Sequence, residues 1–411
     1  MKIVVLTLIF IASTYALTLD KALKDLEKNN LDIKISKNES EISSLSKEQK
    51  KDTQFGKFNL NSSITKYNDK RTLAPLAPPI SSDVVTSDKL TTLGISYKVT
   101  LFNGFGLSND IDIAKLNSFI SKEKEKLTFL QMQYNTQVLF SDILSLQNIE
   151  NSYEKYQEVL KSLEKIIEKE FEYGKKAKVD VFKIQSDIKK NEAKIIEVKT
   201  KINILKNSLS FLIYGENKKL GKLESISFAN EDNKYNLEKL PQIKVAKTNL
   251  EKSNKDYNKA LSLYYPTVNF EAAYSDTYGE GEKESVSNIA LQLNWNIFDF
   301  NVREKNLQKA KIEKIKSTLE YKKLTNEYEN KILESKELIK QNISLSNSAK
   351  SQFKLAQKTT QIEKIRYEED QISINDYLLA FSNEQLLQAN QIQANNNLLK
   401  SRFYYQYLTK E

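Results

Sequence analysis

Two of the side chains most used for covalent and acid–base chemistry are missing: the 411 residues contain no Cys and no His. Their absence removes the thiolate nucleophile, the imidazole base and the commonest zinc ligands. Carboxylates remain, and a glycoside hydrolase would need two of them facing each other across a pocket. The 54 Asp and Glu are instead interleaved with 63 Lys and Arg along stretches that read as helix surface. No aromatic-lined pocket motif accompanies any pair. The sequence points away from an enzyme and calls for no cofactor and no metal. Gly104-Phe105-Gly106 lies where a strand gives way to a helix, so a turn accounts for it better than a phosphate-binding loop. The net charge of +9 is spread without a basic cluster, which argues against a nucleic-acid partner.

The informative spacing is apolar and aromatic, with a period of two. Phe58, Leu60, Ser62 and Ile64 alternate with Asn59, Asn61, Ser63 and Thr65. Leu93, Ile95, Tyr97, Val99 and Leu101 alternate with Thr92, Gly94, Ser96, Lys98 and Thr100. Further on, Val268, Phe270, Ala272 and Tyr274 form a third set, and Ile289, Leu291, Leu293, Trp295 and Ile297 a fourth. Such alternation predicts strands with one apolar and one small polar face. Their ranges are about 55–66, 91–102, 266–276 and 287–298. A soluble sheet against a core could show the same pattern. Two features favour lipid: the strands have about the length that a tilted bilayer strand needs, and Tyr97, Tyr274 and Trp295 sit on the apolar side, where interface aromatics belong. Four strands cannot close a barrel, and open edges are not tolerated in lipid. Other copies of the chain must complete it; two would give eight strands and three would give twelve.

The elements that position these strands are long helices. Only nine Gly and five Pro interrupt the chain, and these are the residues that break helices and make turns. Heptad-like spacing runs through Ile143, Leu146, Tyr153, Tyr156, Leu160, Leu163 and Ile167. A helix over 107–173 would reach roughly 100 Å, and one over 175–214 roughly 60 Å. A leading helix over about 19–53 adds roughly 50 Å, so two short helices stacked end to end would match the long one. The chain is also duplicated. Leu31 to Ile35 recurs as Pro241 to Val245, Leu101-Phe102-Asn103 as Ile297-Phe298-Asp299, and Asp180 as Asp376. The predicted organisation is a first repeat at 17–214 and a second at 237–411, joined by a linker or equatorial segment at 215–236. The second repeat carries a long helix over 302–368 and a shorter one over 372–408.

Met1-Lys2, the apolar run Ile3 to Ile11 and the small residue Ala16 read as a secretory signal peptide, residues 1–16. An exported chain with these helices could also be a secreted or periplasmic coiled-coil structural or adhesion protein, because heptads do not distinguish a solid bundle from a tube.

Four motifs occur in order in the duplicated frame. They are Leu17-Thr18-Leu19-Asp20-Lys21-Ala22-Leu23, Tyr264-Tyr265-Pro266-Thr267-Val268, Trp295-Asn296-Ile297-Phe298-Asp299, and Tyr367-Glu368-Glu369 followed by Ser373 and Asp376. Together they resemble the TolC-like outer-membrane efflux protein family over essentially the whole chain after residue 16. The resemblance implies an α+β membrane protein. A long α-helical coiled-coil tunnel would join four β-strands per chain, contributed to a trimeric twelve-stranded β-barrel. It implies a homotrimer in outer-membrane lipid with its tunnel in the periplasm. A periplasmic adaptor protein and an inner-membrane pump, either a proton-driven exporter or a transport ATPase, would work with it, for efflux or type I secretion. It further implies a periplasmic gate at the helix-to-helix turns, with Asp180 bonded to Tyr367 as a latch and Asp376 in an acidic ring. Adaptor-contact tips would fall on Gly174, Lys175, Lys176, Asp370 and Ser373. The second acidic position falls on Leu379 and the arginine latch position on Ile372, so closure would rest on Asp180, Tyr367 and apolar contacts.

Overall fold

Thr18 opens the first helix, its hydroxyl accepting the backbone N–H of Lys21 at 3.2 Å. The computed structural model describes residues 17–80, 83–226 and 235–411; the expected signal peptide lies outside the described residues. Helices α1 (Leu19–Asn29) and α2 (Leu31–Asp52) replace the single leading helix expected from 19–53. Asn30 breaks it. Its backbone is extended (φ −56°, ψ 133°), its side-chain oxygen accepts the N–H of Ile33 at 2.8 Å, and its side-chain N–H donates to the carbonyl of Leu212 at 2.6 Å. Asparagine satisfies free helix-end N–H groups, so this one ends α1 and starts α2.

Strands β1 (Lys57–Thr72) and β2 (Thr86–Phe102) follow, then helices α3 (Gly106–Glu172) and α4 (Lys178–Tyr214). After α5 (Pro241–Ser262), strands β3 (Thr267–Gly279) and β4 (Glu282–Asn294) lead into α6 (Val302–Glu368) and α7 (Ile374–Thr409). The four strands form one antiparallel sheet in the order β1-β2-β3-β4. Five of the strand boundaries differ from the alternation-based ranges for physical reasons. β1 and β2 extend past the alternating stretch, because Lys66, Arg71 and Thr72 still pair with Lys89, Ser87 and Thr86. β3 and β4 meet at a two-residue turn, Glu280-Gly281, with positive φ at both residues (50° and 87°), the hairpin geometry that matches strand twist. β4 stops at Asn294, which pairs with Thr267; the residue before Thr267 is Pro266, which has no N–H to continue the ladder. Trp295 and Ile297 therefore lie beyond the strand, although their alternation placed them on it.

The described chain forms two compact units. One comprises the residues up to Ser36 with Glu125–Pro241 and Asn326–Glu411. It holds two apolar clusters. The first joins Ala22, Leu26, Phe140, Ile143, Ile202, Leu209 and Ile213. The second joins Tyr156, Leu160, Ile167, Ile184, Tyr367, Tyr377 and Leu378. The other unit, Lys37–Lys124 with Gln242–Thr325, contains the whole sheet.

Candidate functional site

The sheet sorts its side chains by the pleat. One face aligns Leu60 with Ile95 and Ile95 with Tyr274 across three strands. Beside that row run Val99, Phe270 and Leu291, and Tyr97, Ala272 and Ile289. This face is bare: Ile289 is 78% exposed and Leu60 75%. Burying each such side chain is worth about 1.5–3 kcal/mol, so an uncovered face of this size marks a membrane or partner surface. From Leu93 to Leu101 the apolar stripe covers roughly 26 Å of strand, close to the ~25 Å band of membrane barrels. It ends at a polar cluster on the same face. There Asp276 accepts hydrogen bonds from Tyr274 Oη at 2.9 Å and Ser285 Oγ at 2.7 Å, and pairs with Lys283 at 2.8 Å.

The opposite face is small and polar. Thr92 and Thr277 hydroxyls lie 3.3 Å apart, Thr100 donates to Asn269 at 2.9 Å, and Lys98 pairs with Glu271 at 2.9 Å. Gly94 permits the close strand approach: a Cβ there would sit 2.9 Å from that of Ser275. Among the described residues β1 and β4 each pair on one side only, which leaves the sheet two open edges.

The expected lipid-facing aromatics are placed as follows. Tyr97 packs against Phe58 at 4.7 Å and donates to the carbonyl of Phe55 at 2.7 Å. Tyr274 is on the bare face, its hydroxyl turned to Asp276. Trp295 is exposed just past β4, its indole N–H bonded to the carbonyl of Tyr264 at 3.1 Å.

The second candidate region lies where α3 turns into α4 and α6 into α7. Gly174 ends α3 in the left-handed conformation (φ 73°), and Lys175 N–H returns to the carbonyl of Glu170 at 2.8 Å. Asp370 ends α6 the same way (φ 53°), with Gln371 N–H returning to Arg366 at 2.8 Å. This double bond pattern caps a helix C-terminus, and glycine fits its left-handed residue best. Asp370 adopts it with a steric penalty, and its carboxylate reaches Lys176 Nζ at 3.2 Å. The same ammonium lies 5.1 Å above the Tyr367 ring. Tyr367 stacks on Tyr377 (5.7 Å, 11°), which stacks on Phe381, which meets Tyr156 edge-on at 4.7 Å. One lysine thus touches both halves of the second turn from the first.

The Tyr367 hydroxyl and Glu170 Oε2 are buried, and neither has a hydrogen-bond partner among the described residues. Burial, then the carboxylates of Glu170, Asp370 and Asp180, push the phenol up to about 12. It therefore remains a donor over the ordinary pH range. Asp180 is close enough to act on Tyr367 electrostatically but is not bonded to it; its ion pair is with Lys183 at 3.8 Å. Asp376 and Ser373 form a capping box: Ser373 Oγ donates to Asp376 Oδ2 at 2.7 Å and accepts from Asp376 N–H at 3.3 Å. Of the expected tip residues, Lys176 and Asp370 are engaged with each other, Ser373 caps α7, and Gly174 and Lys175 are exposed. Sequence reasoning missed the partners Tyr377, Phe381 and Glu170. The recurrence of Tyr377 and Phe381 at one-turn spacing on an otherwise amide-rich helix was the available signal.

Comparison with known proteins fits this geometry. Residues 236–403 match the family described as outer membrane efflux protein. No curated protein matches the chain by sequence. Among solved structures, the chain is similar to the outer membrane protein VceC from Vibrio cholerae, with TM-score 0.81, 12% identity and 95% of each chain covered. It is similar to the CmeC outer membrane channel of Campylobacter jejuni, with TM-score 0.81 and 16% identity over 95% of this chain and 85% of that one. The open state of the MtrE outer membrane channel of Neisseria gonorrhoeae gives 0.80 and 13% over 95% and 88%. At these identities the likeness shows the fold: mostly helical, with a four-stranded antiparallel sheet.

Proposed function

From the match of residues 236–403 to the outer membrane efflux protein family and the fold shared with solved outer membrane proteins, we propose that this protein is a subunit of a passive exit duct in the outer membrane. The observation that carries the reading is the sheet: bare and apolar on one face, small and polar on the other, open at both edges. Lipid covers the first face and water the second, and neighbouring copies pair along β1 and β4. Three copies give a twelve-stranded barrel, within the range that membrane barrels adopt. The bare face also weighs against a soluble coiled-coil protein, since a monomer exposing so much apolar surface would aggregate.

A passive duct draws its energy from elsewhere, here from an inner-membrane pump reached through a periplasmic adaptor. The two helix turns are the gate and the adaptor contact. Tyr367 closes the gate through its ring, and Asp180 is the acceptor its hydroxyl finds when the turns rearrange. Asp376 contributes negative charge, which in a ring of copies favours cations. Gly174 and Lys175 are the exposed adaptor-facing positions. The reading predicts that protein extracted from membranes runs as a heat-sensitive trimer in detergent. Recovery as a monomer from the aqueous fraction, without detergent, would end it.

A further inference from the structure

At the hairpin end of the sheet, away from the helices, the pleat sorts charge as well as polarity. Ile64, Thr91, Tyr278 and Lys283 form one row of the bare face across all four strands, and Lys66 pairs with Lys89 in the next row. The alternate positions carry the carboxylates. Asp88 is the neighbour of Lys89, and Glu282 and Glu284 face Gly279 and Thr277 on the polar side. Successive residues of a strand point to opposite faces, so lysines stand on the bare face and Asp88, Glu282 and Glu284 on the other.

Lys283 is already engaged: its ammonium pairs with Asp276 at 2.8 Å and lies 5.8 Å over the Tyr278 ring. Lys66 and Lys89 are not. Both are exposed, and among the described residues neither ammonium has an ion pair. Glu280, in the turn beyond, holds Lys70 instead at 2.8 Å. Side chains directly opposite in a sheet start about 5 Å apart, and like charges there repel. Two facing cations without a counterion, at the rim of an uncovered apolar face, call for an anion from outside the chain. Their depth suits one kind of anion. Lys89 stands four residues past Leu93, where the apolar stripe of β2 ends, which is about 13 Å along the strand and roughly 10 Å in depth at barrel tilt. Headgroups occupy ~5–8 Å beyond the hydrocarbon, and a flexible lysine stem lets its charge reach back to that level. Lys66 is closer still, two residues past Ile64.

We propose that Lys66 and Lys89 form a docking site for the phosphate of an anionic lipid headgroup in the outer leaflet. The inference rests on the membrane placement of the sheet proposed above and names the lipid chemistry that the sheet selects. A second copy suits the site less well. Copies would meet along β1 and β4, and past its apolar residues β4 offers Ser287, Ser285 and Lys283 on this face, with its carboxylates on the other. A free anion would satisfy the lysines but leave the adjoining Ile64 and Leu93 bare, whereas a lipid covers both with one molecule.

The test uses the purified full chain reconstituted with spin-labelled phosphatidic acid or spin-labelled phosphatidylcholine. The immobilised fraction of each label measures its contact with the protein. Phosphatidic acid should be preferred by about threefold or more, because lysines at headgroup level attract anionic lipid, and the preference should shrink in high salt. Lys66→Gln combined with Lys89→Gln should bring the two lipids level. Lys66→Arg combined with Lys89→Arg should keep the preference, as should Lys98→Gln on the polar face. A parent protein without preference overturns the site, and so does a preference that survives the double glutamine variant. Loss of the preference to millimolar inorganic phosphate at constant ionic strength also overturns it, by assigning the lysines to a free anion. Each of these results leaves the duct standing while both labels are immobilised. If neither label is immobilised, the sheet does not touch acyl chains and the membrane placement itself falls.

Discussion

The sheet and the turn cluster around Tyr367 treat their apolar side chains in opposite ways. The sheet leaves Leu60, Ile289 and Leu291 uncovered and keeps its hydrogen-bonding edges open. The turn cluster buries Tyr367, Ile374, Tyr377 and Leu378 within one chain and bridges two turns with one lysine. A surface that finishes itself only with lipid and other copies is permanent structure. A surface closed by internal contacts, with one ammonium over a ring joining its two turns, needs neither lipid nor a second copy to finish it. The difference is what the proposed function draws on when it puts anchoring in the sheet and gating at the turns.

The largest expected effect separates the two faces of the sheet. Ile289→Arg or Leu291→Arg puts a charge on the bare face, at roughly 2–4 kcal/mol per site near the bilayer midplane. Membrane-assembled oligomer should fall by more than tenfold. Asn288→Arg, one residue away on the polar face, should leave assembly intact and alter ion selectivity. Equal losses from both faces would erase the distinction.

A smaller effect separates ring from hydroxyl at the gate. A cation over an aromatic face is worth ~0.5–2 kcal/mol, so Lys176→Ala should raise resting conductance several-fold, with Lys176→Arg close to the parent. Tyr367→Phe keeps the ring and removes a buried hydroxyl without a partner, a change that is close to neutral or stabilising. Resting conductance of Tyr367→Phe should stay low, whereas Tyr367→Leu should leak. A leaky Tyr367→Phe would return closure to an Asp180 hydrogen bond. The raised phenol fixes the direction of the pH response. The closed arrangement keeps Tyr367 neutral, so this contribution is intact below pH 10 and is lost as the pH climbs toward about 12.

The smallest effect concerns Asp376. Asp376→Ala removes one arm of the capping box and should cost local stability of ~0.5–1 kcal/mol. Hydrogen exchange at the start of α7 should rise by a few-fold while the rest of the helix is unchanged. No change there would reduce Asp376 to its charge alone.

Period-two alternation made the four strands legible, and heptad spacing, scarce Gly and Pro and the internal duplication did the same for the two long helices, none of which needs tertiary knowledge. It failed where a single residue's partners decide. Asn30 breaks a Gly- and Pro-free helix through bonds to Ile33 and to distant Leu212. Pro266 ends a ladder whose other strand still alternates, leaving Trp295 outside it. At the turns, the positions of Lys176, Tyr367 and Asp370 were readable, but their mutual contact depends on how two hairpins pack.

The most direct test records single-channel currents from the purified full chain in a planar lipid bilayer. Discrete, long-lived conductance steps from an oligomer that loses them on heating are predicted. Protein that adsorbs to the bilayer without any steps, under conditions where its oligomer is intact, would contradict a water-filled passage bounded by the polar face of the sheet.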